Sequence, residues 1–275
     1  MSTAALLQSH AEQEASLIDA LTDAFAVELE EVLVLVNQRI RQLLRELQTK
    51  DGRLVASQAN LGRLLRLRGE LLDAFQQAGF TDLARDAVDA PLDRLAAVVL
   101  SHSRIAKSPA RLTPQSLDAI AAFKTIRYAD LLQVAEDSAV VLWRTTLDGV
   151  LGLRPVDDLV DDLVDLIDVT DTEARTLYDT AVAVFSRQAN QIGSRGTDDE
   201  LYFYAGPDDA KTRPFCQERV GRVFSRDEID GMDNGMLPSV LVTAGGWNCR
   251  HTWKRVSLLD TELISLYESG DRFAA

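Results

Sequence analysis

The chain has 275 residues, 46% apolar and 26% charged, with a formal net charge of −14. This is the composition of a globular protein, and so acidic a balance excludes coating of nucleic acid by the surface as a whole. No apolar run is long enough to span a bilayer, the N-terminal residues lack the order of a secretory signal, and two cysteines make no disulfide framework, so synthesis in a reducing cytoplasm is expected.

The charge is unevenly placed. Residues 1–38 carry seven acids and no Lys or Arg, whereas residues 39–68 hold eight basic residues (Arg39, Arg41, Arg45, Lys50, Arg53, Arg63, Arg66, Arg68) against Glu46 and Asp51, a local balance of +6. Residues 201–257 are nearly neutral. An acidic body with one basic segment suits docking to a protein better than wrapping of DNA. Residues 39–68 are the segment best placed to touch DNA or an acidic protein surface.

Residues 1–198 read as a helical region. Leu17, Leu21, Phe25, Leu29, Val32, Leu33, Val36, Ile40, Leu43, Leu44 and Leu47 recur at three- and four-residue steps, the spacing of one helix face. Asp51-Gly52 ends that helix, and a second is expected from Gln58 to Gln77, stopped by Gly79. Shorter helices follow over 81–88 and 91–105, with Pro91 in a first turn. Thr113-Pro114 caps a helix over 115–148. The Asp-rich stretch from Val156 to Asp168 places Val156, Leu159, Val160, Leu163, Val164 and Ile167 on one face, so it reads as a short helix with a solvated acidic side rather than a metal site. Thr170-Asp-Thr-Glu173 is a capping box expected to launch a new helix toward Ile192. Gly193 to Gly196 should end it, followed by an acidic link at 198–200.

Composition changes near residue 200, and residues 199–275 are expected to form a small, irregular α+β module separable from the helices. Leu201 to Tyr204 reads as a strand bounded by Gly206-Pro207. Ser225-Arg-Asp-Glu228 is a capping box. Leu237 to Thr243 reads as a second strand or extended loop, and helical spacing returns from Leu258. The fold class is therefore mainly α, with no internal repeat of fixed period.

This module gathers both cysteines, one of three histidines and two of three tryptophans. Cys216, Cys249 and His251 offer three ligands to zinc, with Asp208 or Asp209 as a fourth. The same residues also read as a Cys216–Cys249 disulfide, or as two buried thiols with His251 bonded to a carbonyl. The sequence leaves these readings open, so no cofactor is assigned, with zinc as the one candidate. A Cys–His nucleophile lacks an identifiable third residue to orient the base. Phosphate-cradling loops, zinc-protease histidine pairs and nucleophile elbows are missing from the chain, so no catalytic residue is assigned and enzymatic function is not indicated.

The order Tyr204-x-Gly206-x-x-Asp209-x-x-Thr212-Arg213-x-x-Cys216, then Gly245-Gly246-x-Asn248-Cys249-Arg250-His251-x-Trp253, resembles the C-terminal signature of the phage head morphogenesis proteins, the Mu F-like minor head family. Gly221 to Ile229 also fits this pattern. The resemblance covers residues 200–257. It implies a minor structural protein of the virion, in the head interior or at the portal vertex, made in the host cytoplasm. It implies docking on portal or major capsid protein, in several copies and without membrane contact. Two alternatives are a zinc- or thiol-dependent hydrolase or nuclease in the C-terminal module, and a DNA-contacting packaging or ejection factor acting through residues 39–68.

Overall fold

The computed structural model describes residues 1–105, 113–193 and 201–273. The expected helix break at 194–196 and the acidic link at 198–200 lie outside them. The chain is mainly helical. Four long helices, α1 (Thr3–Leu44), α3 (Phe80–Ile105), α4 (Pro114–Leu151) and α5 (Val156–Gly193), accompany the shorter α2 (Gln58–Gln77) and a small hairpin, β1 (Thr49–Lys50) and β2 (Arg53–Leu54). Beyond residue 200 come β3 (Leu201–Ala205), β4 (Val223–Ser225) and β5 (Thr252–Val256), with short helices α6 (Pro214–Gln217), α7 (Arg226–Asp230), α8 (Val240–Thr243) and α9 (Thr261–Ser269).

Secondary structure changes character at residue 200, but packing groups the chain differently. One compact unit joins Met1–Thr22, Asp89–Thr125 and Tyr178–Ala275; the other joins Asp23–Val88 and Ile126–Leu177.

The second of these units is built around the apolar stripe of α1. Phe25, Leu29, Leu33, Val36, Ile40 and Leu43 are buried, so this apolar face covers the protein's own core. Periodicity shows that a helix face is apolar but not what covers it. Val27, Val34 and Leu35 are what remains exposed there. After α1 the chain reverses through a two-residue turn, with Asp51 at φ 54° and Gly52 at φ 73°, the left-handed pair that matches hairpin twist. Asn60 secures the reversal. Its Nδ2 donates to the carbonyls of Gln48 (2.9 Å) and Val55 (2.7 Å), and its Oδ1 accepts from the Gln48 N–H (2.7 Å). Ser57 caps α2 as its sequence requires, accepting from the Asn60 N–H. Trp143 Nε1 donates to the Leu64 carbonyl at 2.9 Å, satisfying its one donor while the ring packs.

Two expected helix breaks are corrected. Pro91 lies inside α3 rather than opening a separate helix, and Thr170 lies inside α5, where its hydroxyl donates to the Leu166 carbonyl and to Ser138 instead of capping. The physical reason is the same in both. Buried side chains continue across each point: Val88, Leu92 and Leu95 in α3; Leu163, Ile167 and Ala174 in α5. Each large apolar side chain buried contributes about 1.5–3 kcal/mol. Several together outweigh the roughly 3 kcal/mol cost of an internal proline, and a threonine inside a helix costs far less than that. The acidic side of α5 is solvated as expected: Asp157, Asp158, Asp161, Asp165 and Asp168 are exposed over buried Leu159, Leu163 and Ile167.

The unit that contains the C-terminal residues is organised by a three-stranded antiparallel sheet in the order β4-β3-β5. All five residues of β3 are buried, because both faces of the sheet are covered. Side chains alternate across a strand. Tyr202 and Tyr204 enter a cluster with Ile229, Val240, Leu241 and Trp253, while Leu201, Phe203 and Ala205 meet Ala4, Leu7 and Ala11 of α1 and Leu263 of α9. The expected capping box at Ser225 is formed in full. Residues 240–243 are a helical turn, not the strand or extended loop expected. As a turn of helix they still bury Val240 and Leu241 against Tyr202, Tyr204 and Trp253.

Buried polar groups tie α1 to this sheet. Lys254 of β5 is fully buried and donates to Glu14, which also accepts from Ser186. His10 Nε2 lies 3.0 Å from both the Val98 carbonyl and the Ser101 hydroxyl. Burial lowers the His10 pKa below its ordinary 6.5, and the Lys254 charge lowers it further against the opposing pull of Glu14. The unfolded chain therefore binds the proton more readily than the folded one. Stability should be complete above pH 6.5 and fall as pH drops through 6.5 toward the lower folded value. Urea unfolding followed between pH 7.5 and 5 should show this slope in the wild type and a shallower one in His10→Gln; identical slopes would remove His10 as the cause.

Candidate thiol and imidazole site

The residues singled out in the sequence converge at the carboxyl end of β3. Tyr204 is the centre. Its ring stacks on His251 (centroids 5.4 Å apart, planes at 10°) and packs at 4.2 Å against Trp253, whose Nε1 donates to the Val240 carbonyl at 3.0 Å. β3 and β5 place Tyr204 opposite Trp253 in register, so the two aromatic residues meet as a cross-strand pair. Gly206 follows at φ 150°, and a Cβ there would come within 2.8 Å of the His251 ring.

The loop after β3 is braced by charge. Arg250 Nη2 donates to both carboxylate oxygens of Asp209, at 2.8 and 2.7 Å, a charge-assisted pair. That guanidinium holds the Asp209 carboxyl below the usual range. The Thr212 hydroxyl donates to the Pro207 carbonyl and accepts from the Asp209 N–H. Arg213 donates to the carbonyls of Gly245 and Trp247, joining the two motif segments. Asn248, at φ 53°, accepts from the Thr180 hydroxyl at 3.0 Å, and Gly246 sits at φ 91°.

At the centre lie two thiols and an imidazole. Cys216 Sγ and Cys249 Sγ are 3.7 Å apart, and Cys249 Sγ is 3.7 Å from His251 Nδ1. Both cysteines are free. The Tyr204 hydroxyl is 3.2 Å from Cys216 Sγ, and the Gly245 N–H donates to Cys249 Sγ at 3.2 Å. A Cβ on Gly245 would stand 2.4 Å from Cys216 Sγ, so the close approach of backbone to sulfur needs glycine at this point. Burial, reinforced by the two thiols, raises the Tyr204 pKa far above 10, which keeps the phenol neutral. The hydrogen bond between the sulfurs pushes the Cys216 thiol up and Cys249 down. Sequence reasoning placed Asp208 or Asp209 as a fourth ligand. The structure corrects this, because Asp208 pairs with Arg272 and Asp209 with Arg250.

Three residues escaped the sequence reading. Arg187 of α5 is 2% exposed and donates to the carbonyls of His251 (2.8 Å), Val242 (3.1 Å) and Cys249. Its signal was available, as the only charge among residues 181–189. Asp19 and Asp179 line a cavity of about 260 Å³ that also takes in Cys216, Cys249 and His251. Burial raises the Asp179 pKa. They stand on helix segments far from the motif in sequence, and nothing local marked them.

No family model, curated protein or solved structure matches this chain. What the site can do must come from its own chemistry. A cysteine nucleophile needs a base held in one orientation by a third group. Here His251 Nε2 has no hydrogen-bond partner among the described residues, so nothing fixes the ring as a base for Cys249. The arrangement also holds backbone. Gly245→Ala should destabilise this unit by about 1–3 kcal/mol through overpacking against the sulfurs and speed alkylation of both thiols in the folded protein. Unchanged stability and labelling would mean that the loop yields freely.

Proposed function

We propose that this chain is a minor structural protein of the head of a tailed phage or prophage-like particle, docking on portal or major capsid protein in several copies and performing no catalysis of its own. The observation that carries this reading is the use made of the motif residues. From Tyr204 to Trp253 they stack, cap carbonyls, pair charges or make room for backbone, so the motif reads as the brace of a rigid module. The missing orienting partner on His251 Nε2 weighs against a thiol hydrolase.

For docking, the exposed residues of α1 are the available surface: Val27, Val34 and Leu35 beside Arg39, Arg41 and Arg45. Apolar contact would supply affinity and the charges orientation. No helix among the described residues is long and apolar enough to cross a membrane.

A second reading, contact with packaged DNA through residues 39–68, is favoured by one fact: all the basic side chains there except Arg63 are exposed. Arg63 pairs with Glu46 and Glu70.

The experiment is mass spectrometry of purified particles from cells carrying or lacking the gene. Recovery of the chain at fixed copy number, with defective heads in its absence, is the expected result. Particles of normal composition and infectivity assembled without it would overturn the proposal. DNA binding by the free protein that weakens steeply with salt would favour the second reading.

A further inference from the structure

We propose that Cys216, Cys249 and His251 bind one zinc ion, with the fourth coordination position opening into the adjoining cavity. The inference goes beyond the role in a particle head and does not rest on it.

The geometry is that of a ligand set. Cys216 Sγ, Cys249 Sγ and one ring nitrogen of His251 all lie within 4.8 Å of one another. The two distances between neighbours, sulfur to sulfur and sulfur to Nδ1, are both 3.7 Å. A tetrahedral zinc ion with bonds of about 2.3 Å to sulfur and about 2.0 Å to nitrogen separates its ligand atoms by roughly 3.5–3.8 Å. A disulfide would need the sulfurs about 2.0 Å apart, and nothing would then occupy the imidazole.

The imidazole supplies an independent observation. His251 is 3% exposed, and Cys249 Sγ is the one hydrogen-bond neighbour of its ring among the described residues, at Nδ1. Buried polar groups are nearly always satisfied by oxygen or nitrogen partners. A metal bond at Nδ1 accounts for a histidine brought into the core to face sulfur.

The surroundings suit two thiolates. The Gly245 N–H and the Tyr204 hydroxyl each lie 3.2 Å from a different sulfur, the kind of outer hydrogen bonds that hold and tune metal-bound ligands. Arg187 fixes the carbonyls of Cys249 and His251, so both donors of the second motif segment are held from behind. Two thiolates cancel the charge of a divalent ion, which removes the cost of burying either alone. Soft sulfur with imidazole selects zinc over magnesium or calcium.

Three protein donors leave one position. Asp208 and Asp209 are held elsewhere by arginines, and the cavity of about 260 Å³ is lined by all three ligands together with Asp19 and Asp179. A water or small anion from that cavity completes the tetrahedron.

The test uses the full chain, reduced with a phosphine and freed of metal, titrated with cobalt(II). One equivalent should bind and produce a thiolate-to-cobalt charge-transfer band with intense visible bands of tetrahedral type; one equivalent of zinc should abolish both. Zinc should also protect both thiols from alkylation. Cys249→Ala and His251→Ala should lose the spectrum, and Asp208→Asn, outside the cluster, should keep it. Azide should shift the visible bands. A folded wild-type protein with two titratable thiols and no stoichiometric cobalt or zinc would overturn the site, whatever the variants do. An azide-insensitive spectrum would overturn the open position.

Discussion

A chain beginning at residue 23 is expected to lose the folded C-terminal sheet. Ala4, Leu7 and Ala11 form part of the cluster that covers Leu201, Phe203 and Ala205, residues exposed by at most 8% in the intact chain. Gln8 adds a donor to the Gly206 carbonyl at 2.7 Å, and the Thr3 N–H donates to Glu262 of α9 at 3.0 Å. Removing this stretch strips the α1 part of the cover from one face of a three-stranded sheet, leaving Leu263 and its neighbours in α9 on it, and so small a sheet needs packing on both faces for which its sequence is apolar. The near-UV circular dichroism of Tyr202, Tyr204 and Trp253 should vanish in the truncated chain, and the thiols should label at the rate of the unfolded protein. A truncated chain that kept its near-UV signal and unfolded cooperatively would show that the module stands without α1, as its sequence alone suggested.

The second large effect is expected at Glu14. Glu14→Ala leaves Lys254 fully buried without its carboxylate, and breaking a buried pair from one side costs about 3–5 kcal/mol. Ser186, and Asn190 at 3.3 Å, also lose an acceptor. Burial already lowers the Lys254 pKa, with Glu14 the group that opposes it. In the variant that opposition is gone. The unfolded chain then holds the lysine proton more firmly than the folded one, so stability should rise as pH is raised from the folded pKa toward 10.5. A Glu14→Leu, Lys254→Met double variant should recover most of the loss, since replacing both members removes the uncompensated charge. Denaturant unfolding of the single and double variants checks this. A double variant no more stable than Glu14→Ala would mean that packing around Glu14, rather than the charge left on Lys254, sets the cost.

The two expectations share an origin in what local sequence can carry. Helix α2 was legible from its apolar spacing and from Gly79 just beyond its end; the Ser57 cap is what the structure adds. The Ser225 box was equally legible, since cap and partner are three residues apart. Pro91 and Thr170 misled because each is a local helix-start signal overruled by burial on both sides of it. Residues 240–243 misled because Val-Leu-Val-Thr is good strand material locally, whereas Val240 and Leu241 are buried from a turn of helix against Tyr202, Tyr204 and Trp253.

The candidate site divides along the same line. The sequence by itself determined which residues are chemically able and that two short segments carry them; the rare Cys, His and Trp and the paired glycines mark Tyr204 to Trp253 without any structure. It also determined the mainly helical character and the solvated acidic face of α5. Only the tertiary structure decided that Cys216, Cys249 and His251 face one another, that the two aspartates expected beside them are drawn off by Arg250 and Arg272, and that Arg187 and Glu14 complete the interior from positions 62 and 240 residues away in sequence. Caps and periodicity are interactions over three or four residues and are written in the order of the chain. Coverage of a sheet face and pairing of a buried charge depend on which distant segment arrives there, and that is fixed only when the whole unit packs.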